Sequence, residues 1–224
     1  MPHAGDIIGS LRFAAIDFES AGAARGDTDQ PVQIGIAACS SLEAEPELWT
    51  SYIATDRPVL WSASQVHGIT TEMLADAPPF HALWPDIRSR LGGAVVAGHN
   101  PATERKFLRR FPGHGFGPWL DTLVLGKMCV PGLPDYSLST LCDALGVSPS
   151  VDALLPGRRW HDALYDALAS FLVVRFLVRE LKLSGQPLEV LGKAVKKTRI
   201  FILHENTISH RIYFLPRKKN HFPT

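Results

Sequence analysis

The chain contains 224 residues, a length that suits one domain with an extension or at most two small domains. Hydrophobic residues make up 46% of it and charged residues 20%, a globular balance with enough apolar side chains for a core. The formal net charge is only +1, so no strong overall positive field is available to attract nucleic acid.

The charge is unevenly distributed along the chain. Residues 1–182 carry 15 Lys and Arg against 20 Asp and Glu, whereas residues 183–224 carry 8 against 2. Turn-forming residues at 184–187 coincide with this change. We therefore predict a domain over residues 1–184 and a basic C-terminal extension over residues 185–224.

Cysteine usage and hydropathy indicate the compartment. Cys39, Cys129 and Cys142 are far apart and show no CxxC spacing, which favours unpaired thiols in a reducing cytosol. The N-terminus lacks the basic start and long apolar run of a secretory signal. No apolar run approaches the roughly 20 residues that span a membrane. We expect a soluble, cytoplasmic protein that does not use a membrane.

Three strand-like runs come first, at residues 12–18, 32–39 and 47–54, and their short connections favour an antiparallel meander. Helical turns at 62–66 and 70–75 precede a helix over 80–91, in which Pro85 marks a kink or a late start. A buried strand at 94–98 leads to Asn100, expected to cap a helix that runs to about residue 110.

The second half of the chain continues the alternation of strands and helices. A short strand at Trp119–Leu120 precedes helices at 123–128 and 138–145, and Asp121 is expected to cap the first of them. Asp162 is expected to cap a long helix over residues 163–183. This order predicts an α/β fold built on a mixed sheet.

Five residues could carry chemistry. Asp17 and Glu19 are two apart on an apolar strand, so their carboxylates share a face and repel unless a cation neutralises them. Hard divalent cations bind such oxygen ligands. The alternative to a metal site is that the two acids lie at an exposed strand end. Glu104 and Asp166 each lie in a first helical turn, where an acid can simply favour the helix dipole. His161 precedes the last helix and can hang over the site that Asp166 faces, or be an ordinary surface residue.

The order of these residues resembles the DEDDh exonuclease superfamily, whose members include the proofreading subunit of bacterial replicative polymerase, oligoribonuclease and ribonuclease T. Three segments carry the likeness over residues 10–182: AIDFES, HNPATERKFL and HDALYD. The connecting segments VHGITTEML, DTLVLGK and YSLSTLCDALGV are also similar.

The resemblance implies a ribonuclease H-like fold with a mixed five-stranded sheet, and 3′→5′ exonuclease activity on single-stranded nucleic acid, with DNA favoured over RNA. It implies that Asp17, Glu19, Glu104 and Asp166 hold two Mg²⁺ or Mn²⁺ ions and that His161 is the general base. This agrees with two-metal phosphodiester hydrolysis, in which the ions stabilise both the attacking and the leaving oxygen. The products would be nucleoside 5′-monophosphates.

The chain departs from the family pattern at Glu104, at Thr103, where the family often has an aromatic residue, and at Ser20. Glu104 stands where the second motif usually has Asp, which lengthens the reach of the carboxylate by one methylene. Ser20 replaces Thr after the first pair of acids. A catalytically weak nucleic-acid-binding module is therefore one alternative to the enzyme.

Substrate contacts are expected from Ser20, from His67 or Ile69 near the last base, and from Asn100. The alternatives are a helix-capping turn with a buried Ile69, and a purely capping Asn100. The basic extension could follow a nucleic-acid backbone or dock a partner protein. Single-stranded DNA or RNA 3′ ends are the expected substrates, and a proofreading subunit whose partner is a DNA polymerase is the second alternative.

Overall fold

The computed structural model describes residues 1–193, 198–202 and 212–216. Its centre is a five-stranded sheet. The strands are β1 Arg12–Ser20, β2 Pro31–Cys39, β3 Glu47–Tyr52, β4 Ala94–Gly98 and β5 Trp119–Asp121. They lie in the order β3-β2-β1-β4-β5.

The sheet is mixed, as the sequence predicts. β1 pairs antiparallel with β2 and β2 with β3, which confirms the meander. β4 runs parallel to β1, and β5 parallel to β4. Since β1 and β4 are parallel, their carboxyl ends share one edge of the sheet, and residues that follow these two strands meet there.

Helices cover both faces of the sheet. They are α1 Trp61–His67, α2 Trp84–Leu91, α3 Ala102–Leu108, α4 Thr122–Cys129, α5 Leu138–Leu145, α6 Ser148–Leu154, α7 Ala163–Glu180 and α8 Glu189–Lys193. Residues of α4, α5, α6 and α7 share one hydrophobic core with Phe13 and Ala15 of β1. Residues of α2 and α3 share the other core with Ala14 and Ile16. Odd-numbered residues of β1 therefore face α7.

Most helix predictions agree with this arrangement. Pro85 lies in the first turn of α2, after a 3₁₀ turn at Phe80–Leu83, so the late start is confirmed rather than the kink. Asp121 and Asp162 cap α4 and α7 with their carboxylates, also as predicted. Helix α6 was not predicted from the sequence.

The predicted Asn100 cap is wrong. Helix α3 begins at Ala102 after Pro101, makes no side-chain cap, and ends at Leu108 rather than near residue 110. Asn100 instead takes φ 57°, and its backbone N–H donates to Oδ1 of Asp121 at 3.0 Å. This contact with the end of β5 fixes a left-handed conformation that the local sequence does not reveal.

The chain beyond α7 returns to the N-terminal segment. The Ile8 N–H donates to Gln186 O at 3.0 Å, and the Leu188 N–H donates to Asp6 O at 2.8 Å. Leu188 and Leu191 are 6% and 2% exposed and belong to the core that contains α7. Residues 186–191 thus pack on the main domain, although the sequence predicts that the extension begins at residue 185.

The basic extension is described only in part. Strands β6 Thr198–Ile202 and β7 Ile212–Pro216 pair antiparallel within it. Most of its Lys and Arg residues, at positions 196, 197, 211 and 217–219, lie outside the described residues. Within the described part of the chain, no helix is long and apolar enough to cross a membrane.

Candidate active site

Asp17 and Glu19 place two carboxylates on one face of β1. The strand alternation turns both towards α7, and across the β1–β2 ladder Asp17 pairs with Gly35 and Glu19 with Gln33. Both side chains are only partly exposed. Two acids on the buried side of a central strand are costly unless a cation or a proton neutralises them.

Gly35 and Gln33 bring the start of α7 against this pair. A Cβ added at Gly35 would lie 2.2 Å from the backbone of Ala163, so only glycine permits this approach. Gln33 is 4% exposed, and its Oε1 accepts from the Ala163 N–H at 3.0 Å. Its Nε2 donates to Oδ2 of Asp162 at 3.3 Å. Sequence reasoning missed both residues, although a glycine within a strand often marks close backbone contact.

His161 occupies a fixed turn immediately before α7. The Asp162 N–H donates to Arg159 O at 3.1 Å and closes the turn. His161 is its third residue and takes φ 65°, a left-handed conformation that glycine adopts most readily. The His161 N–H donates to Oδ2 of Asp166 at 3.2 Å, which ties the turn to the helix. A strained φ held by surrounding contacts is a feature of functional sites.

The cap of α7 is itself held by an arginine. Asp162 Oδ1 accepts from the N–H groups of Leu164 and Tyr165 at 3.0 and 3.3 Å. Nη1 of Arg158 lies 2.5 Å from the other oxygen of Asp162. This ion pair was not expected from the sequence, and it fixes the turn that carries His161.

Glu19, His161 and Asp166 form a compact group of possible metal ligands. One ligand atom from each lies within 4.8 Å of the others. His161 is exposed, whereas the two acids are partly buried. The predicted base and two predicted metal ligands therefore converge, from β1, from the turn and from the first turn of α7.

Asp17 and Glu104 complete the acidic cluster electrostatically. Burial, and then the charges of Asp166, Glu104 and Glu19, raise the pKa of Asp17 well above its usual range. Burial raises the pKa of Glu19 to about 8, and the pKa values of Glu104 and Asp166 to about 7. Each of the four carboxyl groups is thus destabilised in its ionised form.

Two oxygen atoms of this cluster need a partner. Oε2 of Glu104 and Oδ1 of Asp166 are buried and accept no hydrogen bond from the described residues. Glu104 as a whole is 4% exposed. Buried polar atoms without a partner are rare in native proteins, and a hard divalent cation would satisfy oxygen atoms of this kind. The residues present therefore fit the metals that the resemblance implies.

The predicted substrate residues lie close to this edge, with different exposure. Ile69 donates its N–H to Nδ1 of His67 at 3.0 Å, so Nε2 carries the proton and donates to Ser20 O at 3.1 Å. Burial lowers the pKa of His67, in keeping with a neutral ring. Ile69 is 3% exposed and packs in a small core with Val32, which agrees with the alternative of a capping turn with a buried Ile69. Asn100 is exposed. Contacts of all four with substrate remain predictions.

His99 holds the second motif in place. Its ring nitrogens lie 3.0 Å from Oγ1 of Thr122 and 2.9 Å from Tyr136 O, and burial lowers its pKa. Thr122 is fully buried. A neutral His99 therefore links the end of β4 to α4 and to the loop before α5, next to the start of the helix that carries Glu104.

Comparisons with known proteins agree with this geometry. The chain is 28% identical over 194 residues to a DNA polymerase III subunit epsilon-like protein of Rhodobacter capsulatus, covering 84% of this chain and 26% of that protein. It is also 28% identical over 200 residues to the DNA polymerase III epsilon subunit of Rickettsia typhi, covering 84% of each. Thus it spans about a quarter of the first relative and most of the second.

A solved structure shares the fold. Exonuclease X, solved in complex with 5′ overhanging duplex DNA, superposes with a TM-score of 0.64 at 23% identity, covering 80% of this chain and 99% of exonuclease X. This confirms the predicted ribonuclease H-like sheet and its helices. The RNase T exonuclease model matches residues 14–174, a span that includes Asp17, Glu19, Glu104, His161 and Asp166. The chain belongs to this exonuclease family.

Proposed function

We propose that the chain is a metal-dependent 3′→5′ exonuclease that releases nucleoside 5′-monophosphates from single-stranded nucleic acid, preferably DNA. The observation that carries the proposal is the convergence of Glu19, His161 and Asp166 at one sheet edge, beside the buried Asp17 and Glu104. Membership of the exonuclease family supports the reaction class.

The four carboxylates are proposed to hold two Mg²⁺ or Mn²⁺ ions. When bound, these cations would stabilise the negative charge that develops on the phosphoryl oxygens. Oxygen-rich sites favour Mg²⁺ and Mn²⁺, whereas zinc prefers sites richer in His or Cys. The unpartnered oxygens of Glu104 and Asp166 support direct or water-mediated roles for both residues.

His161 is proposed to accept the proton of the attacking water. It is exposed at the mouth of the site, and its turn is fixed by the bonds to Asp166 and Arg159. A base held in one position contributes about 10²–10⁴-fold to such reactions. A possible ligand atom of His161 lies within 4.8 Å of one from Glu19 and one from Asp166. A role of His161 as a metal ligand is therefore the alternative to its role as a base.

One experiment tests the activity and its direction. The protein is incubated with matched single-stranded DNA, duplex DNA and short RNA, each labelled at the 5′ or the 3′ end, with Mg²⁺ or Mn²⁺ and with EDTA. We expect metal-dependent mononucleotide release from the 3′ end, fastest on single-stranded DNA. Full activity in EDTA, or release from the 5′ end, would contradict the proposal. Asp17→Asn serves as the matched inactive control.

Two alternatives remain distinguishable. The Rickettsia typhi protein, of which this chain spans 84%, is an epsilon subunit of DNA polymerase III, which favours a proofreading role with a polymerase partner. Binding to a polymerase, and stimulation by it, would establish that role. The other alternative is a weak nucleic-acid-binding module, because Glu104 replaces the Asp that is usual in the second motif. If so, Glu104→Asp should raise turnover, whereas a site built around the longer side chain should lose activity on the same change.

A further inference from the structure

Arg159 reaches across the mouth of the active site. It lies two residues before His161, and its side chain extends to the turn at the end of α1. A Cβ added at Gly68 would stand 3.2 Å from Nη2 of Arg159. Gly68 has φ 79° and ends α1, directly after His67. The guanidinium therefore lies between the turn that carries the proposed base and the turn that His67 ties to Ser20.

The backbone of Arg159 is fixed relative to the catalytic groups. Its carbonyl accepts from the Asp162 N–H at 3.1 Å, and this bond closes the turn that contains His161. Asp162 in turn binds Arg158 and caps α7. The Cα of Arg159 is therefore held by the same turn as His161.

The guanidinium of Arg159 is unpaired in the part of the chain that the structure describes. It makes no hydrogen bond or ion pair within the described residues, and its side chain is exposed. The neighbouring Arg158 is paired with Asp162, and Arg57 and Arg90 also have carboxylate partners. Arg159 is therefore available to a ligand, whereas Arg158, one residue earlier, is held by Asp162.

The charge of the site calls for a cation at this point. Two divalent cations would offset the four carboxylates, which leaves the metal-loaded centre without the positive charge to attract an anionic strand. Arginine presents planar, forked donors that match the oxygens of a phosphate. A guanidinium beside His161 would supply this contact at the cleaved end of the strand.

We propose that Arg159 binds a phosphate group of the nucleic-acid strand at its cleaved end. The proposal rests on the proposed function for the identity of the strand. It assigns Arg159 a role in holding substrate, separate from the acids and from His161. The phosphate is either the one that is cleaved or its neighbour, and the experiment distinguishes the two.

The decisive measurement is binding without turnover. In an Asp17→Asn background, the affinity for a fluorescent single-stranded oligonucleotide is measured over a range of salt concentrations, with and without Arg159→Gln. Loss of one phosphate contact should weaken binding and flatten the slope of log K against log[salt] by about 0.7. Arg88→Gln is the control. Arg88 is exposed near the end of α2, at the amino end of β4, whereas the proposed site lies at the carboxyl end. An unchanged slope in Arg159→Gln would overturn the proposal, whatever its activity.

Kinetics then locate the phosphate. Arg159→Gln should lower kcat/KM on an oligonucleotide by about 10- to 100-fold, and Arg159→Lys should restore part of it, since lysine keeps the charge but loses the fork. The p-nitrophenyl ester of thymidine 5′-phosphate contains only the phosphate that is cleaved. Slower hydrolysis of this ester by Arg159→Gln assigns the contact to that phosphate, and an effect on the oligonucleotide alone assigns it to the neighbour. If the wild type releases no nucleotides at all, the proposed function fails, while the binding measurement still decides the role of Arg159.

Discussion

Replacing Glu19 by glutamine should stabilise the metal-free protein while removing a proposed metal ligand. Burial, followed by the charges of Asp166, Asp162 and Glu104, raises the pKa of Glu19 from 4.5 to about 8. The folded state therefore disfavours the ionised carboxylate that the unfolded chain carries at neutral pH. Glutamine has nearly the same shape and cannot ionise, so it removes this penalty.

The magnitude follows from linkage between protonation and folding. Well below pH 4.5 the raised pKa does not change the free energy of unfolding, because the carboxyl is protonated in both states. The loss of stability grows as the pH rises from there to about 8. At 1.36 kcal/mol per pKa unit, it reaches roughly 3 kcal/mol at pH 7 and under about 1 kcal/mol at pH 5. Water at this partly exposed side chain screens the effect, which leaves about 1–3 kcal/mol at pH 7. For a domain of this size that corresponds to a rise in Tm of about 2–12 °C.

The assay is thermal unfolding in EDTA at pH 5 and pH 7, followed by the same scans with Mg²⁺. Glu19→Gln should exceed the wild type in Tm at pH 7 and lie close to it at pH 5. Mg²⁺ should raise the Tm of the wild type by binding the folded state, and should raise that of the variant less. The exposed Glu45 supplies the control, since Glu45→Gln should change neither quantity. A lower Tm for Glu19→Gln at pH 7, or an equal gain at both pH values, would refute the reasoning.

Four further changes test other parts of the structure. Asp17→Asn should abolish nucleotide release with the fold intact. His161→Ala should slow release by about 10²–10⁴-fold and keep the Mg²⁺-induced rise in Tm. Wild-type turnover in either variant would contradict the role proposed for that residue. Gly35→Ala should lower both Tm and activity, because its Cβ would lie 2.2 Å from Ala163 and displace α7, while Gly115→Ala, with open space around it, should lower neither. Deleting residues 194–224 should leave a folded nuclease whose binding to nucleic acid depends less on salt if the extension contacts phosphates; an unfolded product would place the extension in the core.

The sequence predicts the elements of this fold well where the signal is local. The alternation and apolar runs of β1, β2 and β3 show their strand structure directly, and short connections show the meander. Asp121 and Asp162 are recognised as caps because a cap acts on the two or three residues that follow it. The five chemical residues are found from motif order, and their roles stay predictions. In the structure Glu19, His161 and Asp166 form one compact group, and the charges of Asp166, Glu104 and Glu19 act on Asp17.

The failures share a non-local cause. Asn100 has the composition of a cap, but its conformation is set by Asp121, 21 residues later. The approach of α7 to the sheet depends on Gly35 and Gln33, which contact residues about 130 positions away. The position of Arg159 beside Gly68 is equally invisible in the sequence. A pattern within one segment cannot report contacts that exist only after the chain has folded.

The acidic cluster destabilises the fold, and its position limits this loss of stability. Four acids with raised pKa values lie at one edge of the sheet, near the end of β1 and in the first turns of α3 and α7. Two of their buried oxygens accept no hydrogen bond from the described residues. The rest of α7 is a nearly continuous apolar surface from Ala167 to Val178, packed in the larger core. Because that helix is anchored along its length, its first turn can hold Asp166 against other carboxylates without moving away. The same anchoring holds the acids together in the metal-free protein, so binding of the proposed cations would relieve the repulsion between them.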